Sequence, residues 1–446
     1  MLKDQKNYPI IRILFPNRMN GAIYLLAATI LITAIFGSEI RHIGDSNKGL
    51  VTVGNSTGPI VVEVVVPIHG NDRVLAHYAE HLAWLPNIGK GSRPENRDSN
   101  AWTNDYAVGY WLAGPPEDLS DMLKRLKVVF DPLDLPREMA ETERDIVLRE
   151  YDWRMANNPD AQAAEEMEAF LYEGNAIAAS VIGTPDQIRS LTYEDAKAFH
   201  AETHRPEHAR LVVVGDVSKR DLRAAMKEAG FPDLDAARAD VSPPKFSVGA
   251  SESKTFLYPE PEAAPRMIWR KIVALPEPVD FDLLEAQAAL GRDILDTNLP
   301  GGLAGPLRFD AFIAKSFDIS ITPIDERHVE LFFSAEPDAG VSFATLQSAF
   351  EAALANLALG VPDTTYARVR ERFASYWPDW SNDEETDRWL MDYVLARVSV
   401  LRDPKTEQQL RKIDDQIEQQ DIDTLLASLS GPGRVAIAFI GKDQTP

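Results

Sequence analysis

Residues His77-Tyr78-Ala79-Glu80-His81 constrain this chain more than any other five. On a helix, positions i and i+4 lie on one face, so His77 and His81 can both reach one metal ion. Glu80, on a neighbouring strip of the same surface, is close enough to touch a water on that metal. The flanks read as a short helix. Asn71 or Asp72 can cap its start, Pro86 limits its end, and Val74, Leu75, Tyr78, Leu82 and Leu85 recur at helical spacing as a buried stripe. His77, Glu80, His81 and Trp84 fall largely beside that stripe.

A catalytic zinc usually takes three protein ligands and leaves a position for water. The chain has no cysteine, which excludes thiolate sites, thiol nucleophiles and disulfides. The third ligand is therefore His, Asp or Glu. Glu143 and Glu150 are seven residues apart in ETERDIVLREYDWR, on one helix face two turns apart. One can bind metal while the other steadies a ligand or a water; the spacing does not say which.

The rest of the chain reads as alternating strands and helices, an α+β class. Gly58 to Ile68 is a buried strand, and Trp102 to Ala113 a strand or hairpin. Helices are expected over Pro115 to Phe130 and Arg137 to Met155, and a strand over Arg210 to Gly215. The composition shifts toward proline and small residues between Phe231 and Pro265. Beyond it the first half recurs: Asp186-Gln187-Ile188, a polar helix and RLVVVG are echoed by Asp415-Gln416-Ile417, a polar helix and RVAIAFIG. A strand over Met267 to Leu275 and a helix over Phe281 to Leu295 echo the elements around His77, without histidine. The expected layout is a metal-binding domain over 45–235, a linker over 236–254 and a homologous domain without metal ligands over 255–446.

These motifs together resemble the pitrilysin/insulinase family of zinc peptidases, the inverzincins, which includes the mitochondrial processing peptidase and bacterial homologues. The resemblance implies that His77, His81 and Glu150 bind one zinc per chain, that Glu80 is the general base and that Glu143 is a supporting acid. Asn100-Ala101-Trp102-Thr103 is similar to the family's N-A-x-T stretch on an edge strand near the metal, where substrate docks. Val181 to Thr184, Leu191-Thr192, Arg205-Pro206 and Leu211 to Val217 match the rest of the first domain. The implied fold is two homologous α/β-layer domains of the processing-peptidase type. The implied activity is endopeptidase cleavage of peptides or unfolded protein segments; a scaffold subunit retaining the fold is the alternative. Complete members also use an Arg and a Tyr from a later domain, and Arg327 to Pro337 offers no such pair. The resemblance thus implies a homologous metal-free partner subunit, or a homodimer.

Before these domains, residues 19–38 contain no charged residue and no histidine, and follow Lys3, Lys6, Arg12 and Arg18. Twenty helical residues at about 1.5 Å each reach about 30 Å, a bilayer core. The expectation is a cytoplasmic segment over 1–18, an uncleaved transmembrane helix over 19–38 and a periplasmic body on a bacterial inner membrane. A formal net charge of −23 argues against nucleic acid as a partner. His200, His204 and His208 recur every fourth residue, but Pro206 ends the helix before they share a face, so they read as structural. His42, His69 and His328 are isolated. Gly301-Gly302 lacks the context of a phosphate loop.

Overall fold

The structure is a computed structural model that describes residues 50–53, 59–68, 72–88, 99–156, 158–232, 234, 246–260, 262–374, 377–378 and 383–442. The expected anchor over 19–38 and its flank over 1–18 lie outside the described residues. Among the described residues, no helix is long and apolar enough to cross a membrane.

Ten strands of the described residues form two sheets: β1 (Leu50–Val53), β2 (Ile60–Pro67), β3 (Ser99–Thr103), β4 (Ala107–Gly114) and β5 (Arg210–Val214), then β6 (Ser253–Tyr258), β7 (Arg266–Ala274), β8 (Ala314–Pro323), β9 (His328–Pro337) and β10 (Arg434–Ile440). The first sheet runs β1-β5-β2-β4-β3 and the second β6-β10-β7-β9-β8. In each, one parallel pair (β1 with β5, β6 with β10) joins an otherwise antiparallel sheet. The two halves therefore repeat one topology, as the echoed segments imply. The second sheet starts at Ser253, inside the expected linker. Residues 246–252 are not free chain, because Asn175 exchanges two hydrogen bonds of 2.9 Å with the Ser247 backbone.

The described helices of the first half are α1 (Arg73–Trp84), α2 (Leu119–Lys127), α3 (Arg137–Met155), α4 (Pro159–Leu171), α5 (Pro185–Ser190), α6 (Tyr193–Thr203) and α7 (Lys219–Ala229). Those of the second are α8 (Phe281–Leu295), α9 (Phe343–Leu357), α10 (Asp363–Ala374), α11 (Asp383–Ser399), α12 (Glu407–Asp414) and α13 (Gln419–Ser430). All eight residues of β2 are buried, so the strand is covered on both faces. Ile60, Val62, Val64 and Val66 face the helices of their own half, Tyr78, Leu82, Leu123, Leu126 and Val147 among them. Val61 and Val65 face the other way, onto Leu390, Met391, Val394 and Val398 of α11. The second sheet is treated reciprocally: Ile268, Ile272, Ala436 and Ala438 pack on Ala163, Met167 and Phe170 of α4. Each half thus lends a helix to the outer face of the other's sheet.

Both exchanged faces carry buried ionisable side chains. Glu63 of β2 is fully buried and accepts a 2.7 Å hydrogen bond from the Trp102 indole. The ring lies over Gly109, where any Cβ would fall 2.0–2.4 Å from it. Burial pushes the Glu63 carboxyl up from 4.5 to about 8, against the opposing effect of that hydrogen bond. The native state therefore holds a proton that the unfolded chain releases above its own pKa, and stability falls as pH rises between 4.5 and about 8. Glu63→Gln keeps the acceptor and removes the slope. Its thermal midpoint should exceed the native protein's at pH 8, by on the order of a few kcal/mol of stability, and converge with it near pH 4.5. Parallel pH profiles for the two proteins would count against a protonated Glu63.

Candidate metal centre

The site is built from α1 and α3. The run of β-branched residues in β2 ends at Pro67, and α1 then packs back on the sheet. Asp72 sits at the N-cap without a side-chain cap bond; Asn71 lies outside the described residues. The helix start is held instead by Arg73, which is buried, donates to the Asp105 carbonyl at 2.9 Å and to the Ala176 carbonyl, and pairs with the Asp105 carboxylate at 3.4 Å. The apolar stripe needs correction. Ala76, Ala79, Ala83 and Trp84 are buried with Val74, Tyr78 and Leu82, whereas Leu75 and Leu85 are half-buried. The helix is enclosed nearly all round, so its polar face is a lined interior surface.

Facing it, α3 spans Arg137–Met155 with Ala140, Glu143 and Val147 buried. The Tyr78 hydroxyl donates to the Ala140 carbonyl at 2.7 Å and fixes the two helices against each other. One ring nitrogen each of His77 and His81 and one Glu150 oxygen then lie within 4.8 Å of one another. Glu150 Oε2 is 3.5 Å from His77 Nε2 and 3.6 Å from His81 Nε2. Its other oxygen, Oε1, pairs with Arg154 one turn on. Glu143 Oε2 is 3.2 Å from His81 Nδ1, the arrangement that holds an imidazole in the tautomer presenting Nε2 to a metal. Two imidazoles and one carboxylate, with their ligand atoms within 4.8 Å of one another, are a donor set suited to zinc. The residues present fit the ion.

The electrostatics set the two imidazoles apart. Burial, reinforced by the charge of His81, lowers His77 to about 3, so it is neutral at physiological pH. Burial also opposes charge on His81, but the hydrogen bonds it donates to Glu143 and Glu150 prevail and lift it to about 10, so a metal at Nε2 would displace that proton. Burial works against ionised Glu150, yet His81, His77 and Arg154 hold it at about 2. Glu80 is pushed up to about 7 by burial, with His81 and the Thr103 hydroxyl opposing.

The N-A-x-T stretch is β3, an edge of the first sheet. Its residues divide between the faces: Trp102 is buried on the outer face against Glu63, while the Thr103 hydroxyl donates to Glu80 Oε2 at 3.1 Å. Asn100 is exposed and Ala101 half-buried. Trp102 is thus a packing residue whose side chain points away from the metal site. Sequence reasoning missed the Thr103 contact and the Arg154 pairing; the i,i+4 spacing of Glu150 and Arg154 was the available signal for the latter. His200 and His204 stack at 4.3 Å and bond to the Val129 carbonyl and the Tyr110 hydroxyl, and α6 ends at Thr203. They are structural. His328 pairs with Asp325 in the β8–β9 turn, and α8, which follows β7 as α1 follows β2, carries no histidine.

No protein-family model matches the chain. Zinc protease PqqE of Helicobacter pylori is 26% identical over 184 residues, 39% of this chain and 41% of that protein. Mitochondrial-processing peptidase subunit beta of Dictyostelium discoideum is 22% identical over 165 residues, 34% of each chain. The matched stretch thus spans about two fifths or less of these relatives. Among solved structures, a protease from Helicobacter pylori superposes with a TM-score of 0.69 at 18% identity, covering 90% of this chain and 99% of that one. The inactive domain of a peptidase from Pseudomonas fluorescens does so with a TM-score of 0.67 at 16% identity, covering 92% and 100%. The chain is thus similar in sequence to zinc proteases over about two fifths of its length, shares a peptidase fold over nine tenths of it, and brings a His-His-Glu group together within that fold.

Proposed function

We propose that the chain is a zinc-dependent endopeptidase acting on peptides or unfolded protein segments. The observation that carries this reading is the convergence of His77, His81 and Glu150 with Glu80 beside them on α1. Zinc held by His77, His81 and Glu150 would supply Lewis-acid chemistry, lowering the pKa of a water toward neutrality and polarising a scissile carbonyl. Glu80 accepts the proton of the attacking water and returns it to the leaving amine. Glu143 keeps His81 in its ligating tautomer, and Arg154 occupies the second oxygen of Glu150. The outer backbone edge of β3 can pair with an extended peptide, giving weak sequence preference and a requirement for unfolded substrate.

Within this reading the chain is the metal-bearing subunit of a pair whose homologous, metal-free partner supplies the Arg/Tyr pair that 327–337 does not offer. A homodimer is the second arrangement. Residues 19–38 anchor it in a bacterial inner membrane, with the sheets on the periplasmic side. The scaffold reading draws support from the inactive domain of similar fold; retention of Glu80 beside a complete donor set favours the enzyme.

The purified chain should contain about one zinc, and Glu150→Ala should lose it to a mild chelator. Glu143→Ala should keep zinc but weaken its affinity by about 10- to 100-fold, because the ligand remains while its orientation is lost. Metal analysis and chelator competition measure both. A native chain without zinc would remove the site. Cleavage of an unfolded polypeptide, with and without the co-purifying partner, then distinguishes enzyme from scaffold.

A further inference from the structure

We propose that Thr103 is the residue that positions Glu80 for proton transfer, an assignment that rests on the peptidase reading above. The family-like stretch that contains it suggests a substrate contact, but the hydroxyl is already committed to Glu80 Oε2 at 3.1 Å. Glu80 is buried on a helix that is itself enclosed, so a fixed carboxylate there depends on a fixed donor.

Thr103 is held where it is by its neighbours. It closes β3 opposite Val108, and the preceding residue is locked to the other face by the Trp102–Glu63 hydrogen bond. Because strand side chains alternate between faces, the indole on one side fixes the hydroxyl on the other. The turn that follows is tied down three times. Asn104 accepts from the Tyr106 and Ala107 amides at 2.8 Å, Asn104 Nδ2 reaches the Ser399 carbonyl of α11 at 3.0 Å, and Asp105 binds Arg73 at the head of the metal helix. One edge strand thus directs its outer backbone away from the sheet and its last side chain to the base. Removing the hydroxyl leaves the metal ligands and the backbone edge intact and frees only the Glu80 carboxylate. The loss should fall on kcat and spare KM.

The test compares Thr103→Val, of the same shape without the hydroxyl, with Thr103→Ser, which keeps it. Thr103→Val should lower kcat by about 10- to 100-fold, the range expected for a hydrogen bond to a charged group, with KM within about twofold and zinc content unchanged. Thr103→Ser should recover most of the loss. Native kcat in Thr103→Val, a loss confined to KM, or no rescue by serine would overturn the assignment. An activity-free readout accompanies it: thermal midpoints of Thr103→Val, Glu80→Ala and the double variant. Non-additive shifts support the contact, and additive shifts overturn it whatever the kinetics. Non-additive shifts in a protein whose native form cleaves nothing would instead overturn the role together with the peptidase reading.

Discussion

Glu80→Gln should retain about one zinc per chain and lose cleavage of an unfolded peptide by about 10²- to 10⁴-fold, the contribution typical of a positioned general base. The substitution preserves shape and leaves an oxygen able to accept from Thr103, so the helix and the donor set are undisturbed. What disappears is the capacity to take up a proton. The surroundings tune that capacity. Enclosure on α1 raises the Glu80 carboxyl and the Thr103 hydroxyl opposes that rise, and a zinc ion beside it would hold it lower still. A base whose pKa lies near the working pH is ionised often enough to accept a proton and acidic enough to return it. Steady-state kinetics beside metal analysis provide the check. Unchanged cleavage with zinc bound would take Glu80 out of the mechanism, and zinc loss would mean that the carboxylate also builds the site.

Much of this site was legible because its chemistry is local. Two imidazoles four residues apart and two carboxylates seven apart specify faces of single helices, and α3 and α8 begin and end where their sequence patterns do. The recurrence of short segments pointed to a repeated half, and the two sheets share one strand order. What the pattern could not give was the identity of the partner across each face. A continuous apolar run such as β2 announces that both faces are covered, yet nothing in it names α11, more than three hundred residues away, as one of the covers. The same limit hid Trp102. Strand alternation puts it opposite Thr103, but only the buried Glu63 shows which of the two faces the metal. Glu143 and Glu150 were open as to role for a related reason, since spacing fixes a shared face and not which carboxylate comes within reach of both rings.

The reciprocal helices make a second large effect predictable. Under α4, Arg270 and Glu330 are buried on the outer face of the second sheet, with Arg270 Nε 2.6 Å from Glu330 Oε1. Tyr172 donates to the other oxygen of Glu330, and Glu168 of α4 lies 3.4 Å from Arg270 Nη2. Glu330→Ala removes the central acceptor and leaves a guanidinium in the interior facing the partly exposed Glu168, a change that should cost about 3 kcal/mol or more. Arg270→Met combined with Glu330→Leu discards both charges for apolar volume and should recover most of that loss, because a buried pair offsets its own desolvation only in part. Denaturation of the three proteins tests the argument, and equal destabilisation of the single and double variants would defeat it. The consequence reaches the metal. α4 begins at Pro159, shortly after α3 ends at Met155, and α3 carries Glu150. Loosening α4 from the second sheet should therefore weaken zinc retention as well as stability, although Arg270 and Glu330 touch none of the metal-binding residues.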